Sequence, residues 1–182
     1  MGRVNPIRSQ LQIVQLKEYL RARSERDYML FVMGINIGVR IGDLIKLKTF
    51  HVESLHLTLI EEKRAKERVY LINTQLRKDI DEYIAKMSLG PNDYLFQSRK
   101  GENQHLSRSQ AYRVFSDAGD ALKIEKLGTH TLRKTFGYWH YRQFKDVAVL
   151  QTIFRHSSPS ETLRYIGIEQ DEIDASASAF YI

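Results

Sequence analysis

The stretch "RHSSPSETLRYIGI", residues 155–168, carries a signal for each end of a short helix. Ser158, Pro159 and Glu161 are typical of a helix N-terminus, with a serine cap, a proline at the first helical position and a carboxylate at the third. Gly167 is placed to end the helix, because glycine adopts the left-handed conformation of a C-terminal cap. The sequence therefore predicts a helix of about two turns between these signals.

Tyr165 lies near the end of this predicted helix and follows His156 by nine residues. Helical side chains lean toward the N-terminus of their helix, so the phenol is expected to point back toward the loop that carries His156. The two side chains are then placed to converge on one small ligand. The alternative, from this stretch alone, is that Tyr165 and Ile166 are packing residues and that His156 is exposed to solvent.

The composition of the 182-residue chain restricts the class of protein. The length suits one domain with its own core, so we expect residues 1–182 to form a single domain. The chain contains no cysteine, which excludes disulfides and thiolate metal sites. No apolar run approaches the roughly 18 residues of a membrane span, and the N-terminus lacks the apolar core of a signal peptide. We therefore expect a cytoplasmic protein.

The chain is basic, with 28 lysines and arginines against 22 acidic residues and a net charge of +6. A positive surface attracts polyanions, and nucleic acid is the obvious candidate. The alternative is that solvated lysines on helix faces only keep the protein soluble.

Two amphipathic helices are predicted before residue 40. The first, residues 9–23, begins at a Ser9 cap and is expected to bury Leu11, Val14, Leu16 and Leu20. The second, residues 24–38, has Ser24 and Asp27 in capping-box positions and a glycine at its end. A short amphipathic stretch, "RIGDLIKLK" at residues 40–48, follows and is expected to turn its apolar residues inward, namely Ile41, Leu44, Ile45 and Leu47.

The apolar pattern then changes from a helical to an alternating period. Leu55, Leu57 and Leu59 share one face, and Val69 and Leu71 in "ERVYLIN", residues 67–73, share another, which predicts a hairpin over residues 55–73 with the charged turn "KRAKE". Helical spacing returns in four later segments, residues 75–87, 106–123, 130–144 and 146–154. The predicted fold class is mostly α with a small antiparallel β-sheet (α+β).

The motif "HTLR" places His130 and Arg133 three residues apart at the start of a predicted helix. Both side chains then lie on one face near the positive end of the helix dipole. Free backbone N–H groups, a forked guanidinium and a titratable imidazole together suit a phosphate group. The alternative is a partly exposed helix start without a ligand.

Arg40 lies in "GVRIGDLIKLK" between apolar residues that are expected to be buried. A cation drawn toward a core needs a partner, which is either Asp43 on the same helix face or an external anion. Lys63, in the predicted hairpin turn, is by itself an ordinary exposed lysine.

The order of these motifs is more specific than any one of them. From N- to C-terminus the chain has an arginine in "GVRIGD", a hairpin lysine in "EEKRAKERV", then "HTLR", "FRHSS" and a tyrosine nine residues after that histidine. This series resembles the tyrosine recombinases, the phage-integrase-like DNA strand-transfer enzymes. The resemblance covers roughly residues 25 to 170 and implies a tyrosine recombinase catalytic-domain fold.

The resemblance also implies a role for each matching residue. It assigns Tyr165 as the nucleophile and Asp43, where the family has a longer acid, as a brace for the first arginine. The family lysine of the hairpin turn falls on Lys63, with Lys66 as the alternative. The other catalytic residues that it assigns are Arg40, His130, Arg133 and His156.

The implied activity is site-specific cleavage and rejoining of DNA through a covalent 3′-phosphotyrosine, without metal or cofactor. The implied partners are double-stranded DNA and further copies of the chain in a tetramer, which suggests a nucleoid-associated protein. Two alternatives stay open: a type IB topoisomerase-like nicking and closing enzyme, and a DNA-binding module of this fold without turnover.

The chain also departs from the family pattern. The first arginine follows too closely on the N-terminus for the separate helical domain that many members carry, so we expect a stand-alone catalytic domain or a fragment. Arg155 replaces the glycine of the commoner "LGHSS" motif. Residues 168–182 are expected to form a tail that docks on its own domain or on a neighbouring subunit, with the apolar stripe Ile173, Ala177 and Phe180.

Overall fold

Two consecutive helices bring the chain to Arg40, as the sequence predicts, in a computed structural model that describes residues 4–61, 66–168, 171, 175 and 177–181. A hairpin and a second series of helices follow. The helices are α1 (Gln10–Arg23), α2 (Glu25–Ile37), α3 (Ile41–Leu44), α4 (Thr74–Lys86), α5 (Arg108–Leu122), α6 (Thr129–Phe144), α7 (Val147–Phe154) and α8 (Pro159–Ile166), with a 3₁₀ turn at Thr49–Val52 and strands β1 (His56–Glu61) and β2 (Lys66–Leu71). The predicted fold class is confirmed.

Helix α1 begins where its cap predicts, because the Ser9 side chain accepts a hydrogen bond from the backbone N–H of Gln12. Its buried face differs from the prediction. Leu16 and Leu20 are buried, whereas Leu11 and Val14 are 66% and 48% exposed. The reason is the helical angle: Leu11 and Val14 lie about 140° and 160° from Leu16 around the axis, so they share no face with it.

The hairpin is a two-stranded antiparallel sheet, with Leu57 opposite Tyr70 and Leu59 opposite Arg68. Leu57 and Leu59 are buried as predicted, but Leu55 is 51% exposed. Leu55 precedes β1, which begins at His56, so the alternation of the strand does not extend to it.

Helix α2 forms the centre of the main core and packs against α1, α4 and α6. A second apolar cluster joins α6, α7 and α8, and it contains Tyr138, Leu150, Phe154, Ile166 and Ile168. Within the described part of the chain, every helix is too short or too polar to span a bilayer. Helix α6 contacts both α2 and α8 and therefore connects the main core to the second cluster.

Gly137 lets α6 approach α7 and α8 closely. A Cβ atom at this position would lie 2.6 Å from Cγ2 of Ile166 and 2.7 Å from Cε2 of Phe154. Gly137→Ala is therefore expected to lower the free energy of unfolding by about 1–2 kcal/mol, because overpacking outweighs the gain in helix propensity. Urea denaturation measures this change.

Gly90→Ala is the matched control for that measurement. Its added Cβ would meet Oδ2 of Asp93 at 3.4 Å, an ordinary contact, so stability is expected to change by less than about 1 kcal/mol. A Gly137→Ala variant as stable as the wild type would contradict the close packing of α6 and α8.

Candidate active site

Arg133 lies in the second turn of α6 and is buried, with 5% exposure. Nη1 of its guanidinium donates to the carbonyl of Gly38, and Nη2 donates to the carbonyl of Phe154 at 3.2 Å. The guanidinium also lies 4.5 Å from the centre of the Phe154 ring. These partners are neutral, so they orient the guanidinium without cancelling its positive charge.

Gly38 ends α2 in the left-handed conformation, with φ 70°. This turn presents its carbonyl to Arg133. A Cβ atom here would also lie 2.3 Å from Cδ1 of Phe136 on α6. Only glycine meets both requirements, so this residue holds the chain that leads to Arg40 against the helix that carries Arg133.

Tyr165 lies on α8 with its ring between residues of three elements. The ring centres of Tyr165 and His156 are 4.9 Å apart, and those of Tyr165 and Phe154 are 5.4 Å apart. The Lys134 ammonium of α6 lies 5.0 Å from the centre of the Tyr165 ring. The positive charge of the Arg133 guanidinium acts on the Tyr165 hydroxyl and lowers the pKa of the phenol. The predicted convergence of Tyr165 and His156 is confirmed.

The helix that carries Tyr165 is capped as the sequence predicts. The Ser158 side chain accepts a hydrogen bond from the backbone N–H of Glu161, Pro159 occupies the first turn, and Gly167 ends the helix with φ 79°. The Glu161 carboxylate binds the N–H and hydroxyl of Ser157 at 2.7 and 2.8 Å. These contacts fix the loop between His156 and α8.

The environment of Tyr165 acts on its acidity in two opposing ways. Burial raises the pKa of the phenol, while the positive charges of Arg133 and Arg40 and the hydrogen bond from Arg133 lower it in part. A phenol with a raised pKa stays protonated at neutral pH. The cations are nevertheless placed to stabilise the phenolate when a base removes the proton.

His156 is held by Thr162, a fully buried residue of α8. Nδ1 of His156 lies 3.0 Å from the Thr162 hydroxyl, which itself donates to the carbonyl of Ser158 at 3.2 Å. Because Thr162 donates its only hydroxyl proton to the Ser158 carbonyl, Nδ1 of His156 must be the donor in the contact with Thr162. Nε2 of His156 is therefore the nitrogen available to a ligand.

Arg40 and His130 belong to the same site. Arg40 caps α3 and is partly buried, and His130 lies in the first turn of α6. Burial lowers the pKa of His130, and the charges of Arg133, Lys134 and Arg40 lower it further. Burial likewise lowers the pKa of His156, where Glu161 opposes this effect and Arg133 and Arg40 add to it. Each histidine therefore interacts with both arginines.

These shifts predict how the two histidines titrate in the free protein. Because each pKa is lowered from 6.5, both imidazoles should protonate only below that pH. The two histidines therefore contribute to the free energy of unfolding above pH 6.5, where they are neutral. This contribution is lost as the pH falls, because the unfolded chain takes up the protons first. NMR titration, assigned with His130→Gln and His156→Gln, measures the midpoints, and the urea-unfolded chain is the control. Folded midpoints at or above the unfolded ones would contradict the prediction.

The remaining predicted residues belong to the hairpin, to α3 and to the tail. Lys63 lies outside the described residues. Lys66 begins β2 opposite Glu61, and its side chain is also outside the described part. Asp43 follows Arg40 in α3, and its backbone N–H donates to the Arg40 carbonyl at 3.0 Å. In the tail, Ile173 is outside the described residues, and Phe180 is 71% exposed.

The hairpin is fastened to the site by Arg68. Its Nη1 and Nη2 donate to the carbonyls of Ile153 and Thr152 at 2.9 and 2.8 Å. These carbonyls lie at the end of α7, close in sequence to His156. The strand after the predicted lysine turn is thereby held against the segment that leads to His156.

Several residues of the site were missed in the sequence. Phe154 and Arg68 gave no usable signal, because their roles depend on contacts between distant segments. Thr162 could have been found from the sequence, since it lies four residues after Ser158 and three before Tyr165 on a capped helix. Lys134 could also have been found from its position, because it directly follows "HTLR".

Comparison with known proteins identifies the family. Residues 9–172 match the sequence profile of the Phage integrase family. The chain belongs to this family, the tyrosine recombinases. It is 46% identical over 178 residues to "Probable integrase/recombinase YoeC" of Bacillus subtilis, with 97% of each chain covered. It is 26% identical to a "Tyrosine recombinase" of Pseudothermotoga lettingae, covering 90% of this chain and 57% of that one.

Solved structures of recombinases share the fold of this family member. The XerA recombinase matches with a TM-score of 0.76 at 23% identity, over 98% of this chain and 66% of that one. The catalytic domain of bacteriophage HP1 integrase matches with a TM-score of 0.68 at 20% identity, over 96% of this chain and 94% of that domain. The chain thus spans nearly all of one catalytic domain and about two thirds of a longer recombinase.

Proposed function

We propose that this protein is a site-specific DNA recombinase that cleaves and rejoins strands through a covalent 3′-phosphotyrosine at Tyr165. The observation that carries the proposal is the partly buried Tyr165 ring, which lies 4.9 Å from the ring of His156 in a site where the positive charge of Arg133 acts to lower the pKa of the phenol. A tyrosine that only packed would need neither a buried guanidinium nor a neighbouring imidazole.

The substrate in this proposal is a DNA phosphodiester. Arg40 and Arg133 bring two fixed positive charges to the site, and the chain has a net charge of +6. Guanidinium groups bind phosphate oxygens with two parallel hydrogen bonds, which a diester anion accepts. In support, an XerH recombinase with this fold was solved "bound to palindromic difH substrate", with a TM-score of 0.73 at 19% identity.

The proposed cleavage step is a transesterification. The Tyr165 oxygen attacks the phosphorus, its proton passes to His130, and the bond from phosphorus to the 5′ oxygen breaks. Lys63 delivers a proton to this leaving oxygen, so the products are a 3′-phosphotyrosine and a free 5′ hydroxyl. Since the phosphodiester bond is exchanged rather than hydrolysed, a 5′ hydroxyl rejoins the strand by the reverse step without ATP.

The site stabilises charge that develops in the transition state. Attack increases negative charge on the non-bridging oxygens, and preorganised donors bind that charge better than water does. Arg40 and Arg133 supply guanidinium donors, and His156 supplies Nε2–H once it is protonated. The nearby phosphate anion is expected to raise the pKa of His156 on binding, which favours this donor form.

The proposal needs no metal ion or cofactor. In the described ranges, which omit the hairpin turn and parts of the tail, no three His, Asp or Glu side chains form a cluster suited to a metal.

We further propose that residues 1–182 act as one catalytic domain, with Asp43 bracing Arg40. Strand exchange between two duplexes requires four active sites, which corresponds to a homotetramer on DNA.

The test is a covalent trapping experiment. The protein is incubated with duplexes of mixed sequence that carry a nick close to the cleavage position, so that the short fragment with the new 5′ hydroxyl diffuses away and rejoining stops. We expect a protease-sensitive, EDTA-resistant adduct in denaturing electrophoresis that retains a label on the 5′ side of the cut. Binding without an adduct would contradict the proposal and favour a silent DNA-binding module.

A supercoiled plasmid that carries two copies of the trapped site distinguishes the two enzymatic alternatives. A recombinase gives deletion or inversion products between the copies. Relaxation of supercoils without these products would identify a nicking and closing enzyme and would contradict site-specific recombination.

A further inference from the structure

The segment before α1 is built into the same region as the tyrosine helix. We call residues 6–8, Pro6, Ile7 and Arg8, the N-terminal strap. Pro6 and Ile7 are buried, although they lie outside any helix or strand. The Ile7 N–H donates to the Thr135 hydroxyl at 2.9 Å, and Nε1 of Trp139 donates to the Ile7 carbonyl at 2.9 Å. The strap is therefore anchored on α6, the helix that carries His130 and Arg133.

Arg8 extends from the strap to the far end of α8. Its Nη2 donates to the carbonyl of Gly167 at 3.0 Å, and its Nη1 pairs with the Asp171 carboxylate at 2.5 Å. The guanidinium also lies 5.4 Å from the centre of the Tyr138 ring of α6. One side chain thus joins α6, the C-terminal cap of α8 and the tail.

This placement suits the chemistry of a helix end. The last carbonyls of a helix lack partners within the helix and carry the negative end of its dipole, so a guanidinium is favourable there. Gly167 follows Tyr165 by only two residues. A contact that fixes the Gly167 carbonyl therefore limits rotation of the last turn, which carries the phenol.

We propose that Arg8 is a positioning residue for Tyr165. It holds the last turn of α8 in register with α6, and through Asp171 it directs the start of the tail along its own domain. Arg8 touches neither the phenol nor the phosphate in this role; it acts by reducing the motion of α8. The effect on cleavage rests on the function proposed above, whereas the effect on α8 does not.

The contact between Arg8 and Asp171 is expected to affect the rate of DNA cleavage more than the stability of the fold. The Arg8 and Asp171 side chains are 44% and 30% exposed, and ion pairs with this exposure contribute little to folding and are screened by salt. A displaced nucleophile, in contrast, has a large effect on rate, because small errors in the position of a reacting atom are costly. Substitution of Arg8 should therefore slow cleavage while the protein stays folded.

The first experiment is amide hydrogen exchange on the free protein. Arg8→Ala is expected to increase exchange of residues 163–167 by about tenfold while the melting temperature stays within a few degrees, because only local opening is favoured. Arg23→Ala is the matched control: Arg23 is exposed and donates to the Tyr19 hydroxyl at the end of α1 at 3.1 Å. Unchanged exchange at residues 163–167 in Arg8→Ala would overturn the inference.

The second experiment measures the rate of adduct formation in the trapping assay. Arg8→Ala is expected to be about tenfold slower at unchanged DNA affinity, Arg8→Lys intermediate, and Arg23→Ala equal to the wild type. Asp171→Asn should add nothing to Arg8→Ala in the double variant if the two residues act through their pair. Additive effects, or equal losses in Arg8→Ala and Arg23→Ala, would overturn the proposed role.

The two experiments fail in different ways. If the wild type forms no adduct, the proposed function is wrong, yet hydrogen exchange still tests the hold of Arg8 on α8. If the adduct forms but exchange is unchanged in Arg8→Ala, the function stands and the role of Arg8 falls.

Discussion

Tyr165→Phe is expected to abolish covalent attachment to DNA, with a fall in rate of at least about 10³-fold, because it removes the nucleophilic oxygen. The phenylalanine ring keeps the contacts with His156 and Phe154, whose ring centres lie 4.9 and 5.4 Å away. Only the hydroxyl and its interaction with the charge of Arg133 are lost. Stability should change by about 1 kcal/mol and DNA affinity should be retained. Trapping electrophoresis, thermal melting and a binding assay measure the three quantities.

Tyr138→Phe is the control for this substitution. Tyr138 is a buried tyrosine, at 8% exposure, and it packs in the same cluster as the partly buried Tyr165. The same atom is removed, but attachment is expected to continue at the wild-type rate. An adduct that persists in Tyr165→Phe and disappears in Tyr138→Phe would move the nucleophile to α6.

Arg133→Lys is expected to lower the rate of adduct formation by about 10²–10³-fold, the usual cost of losing a preorganised donor at a developing anion. Lysine keeps the positive charge but lacks the planar fork. Its compact ammonium therefore cannot reach the carbonyls of Gly38 and Phe154 from two separate nitrogens, as Nη1 and Nη2 of Arg133 do. Single-turnover kinetics on the nicked duplex measures the rate, and thermal melting shows that the variant folds.

Arg113→Lys is the matched control, since Arg113 is exposed on α5 and the chemical change is identical. Its rate is expected to stay within about threefold of the wild type, as for other surface substitutions. Equal rates for Arg133→Lys and wild type would contradict a role of the fork in the transition state, whatever the DNA affinity.

Local signals in the sequence were sufficient for much of the fold. The Ser158 and Gly167 caps determine the limits of α8 by contacts within a few residues, so the helix was predictable. The same holds for the Ser24 cap and Gly38 end of α2. The predicted burial of Leu11 and Val14 was wrong, because their spacing from Leu16 places both on another side of α1.

The sequence predicted which residues gather at the candidate site, whose catalytic roles stay predictions, but not the contacts that orient them. The order of motifs indicated Arg40, His130, Arg133, His156 and Tyr165, and the structure brings them together. Sequence reasoning gave no account of what orients Arg133, since the carbonyls of Gly38 and Phe154 are 95 and 21 residues away along the chain. The strap contact between Arg8 and Gly167 spans 159 residues and has no local signature. Contacts of this kind depend on tertiary packing, which one sequence does not encode in any short pattern.

The most direct test of the central claim is to locate the DNA on the trapped protein by mass spectrometry. After nuclease and trypsin digestion, we expect a phosphonucleotide on the peptide that follows Arg164, residues 165–182. This peptide also contains Tyr181, so fragmentation must place the added mass on Tyr165. A 3′-linked nucleotide on Tyr165 is the predicted result. Attachment to Tyr181, Tyr138 or Tyr141, or a 5′ linkage, would contradict the account.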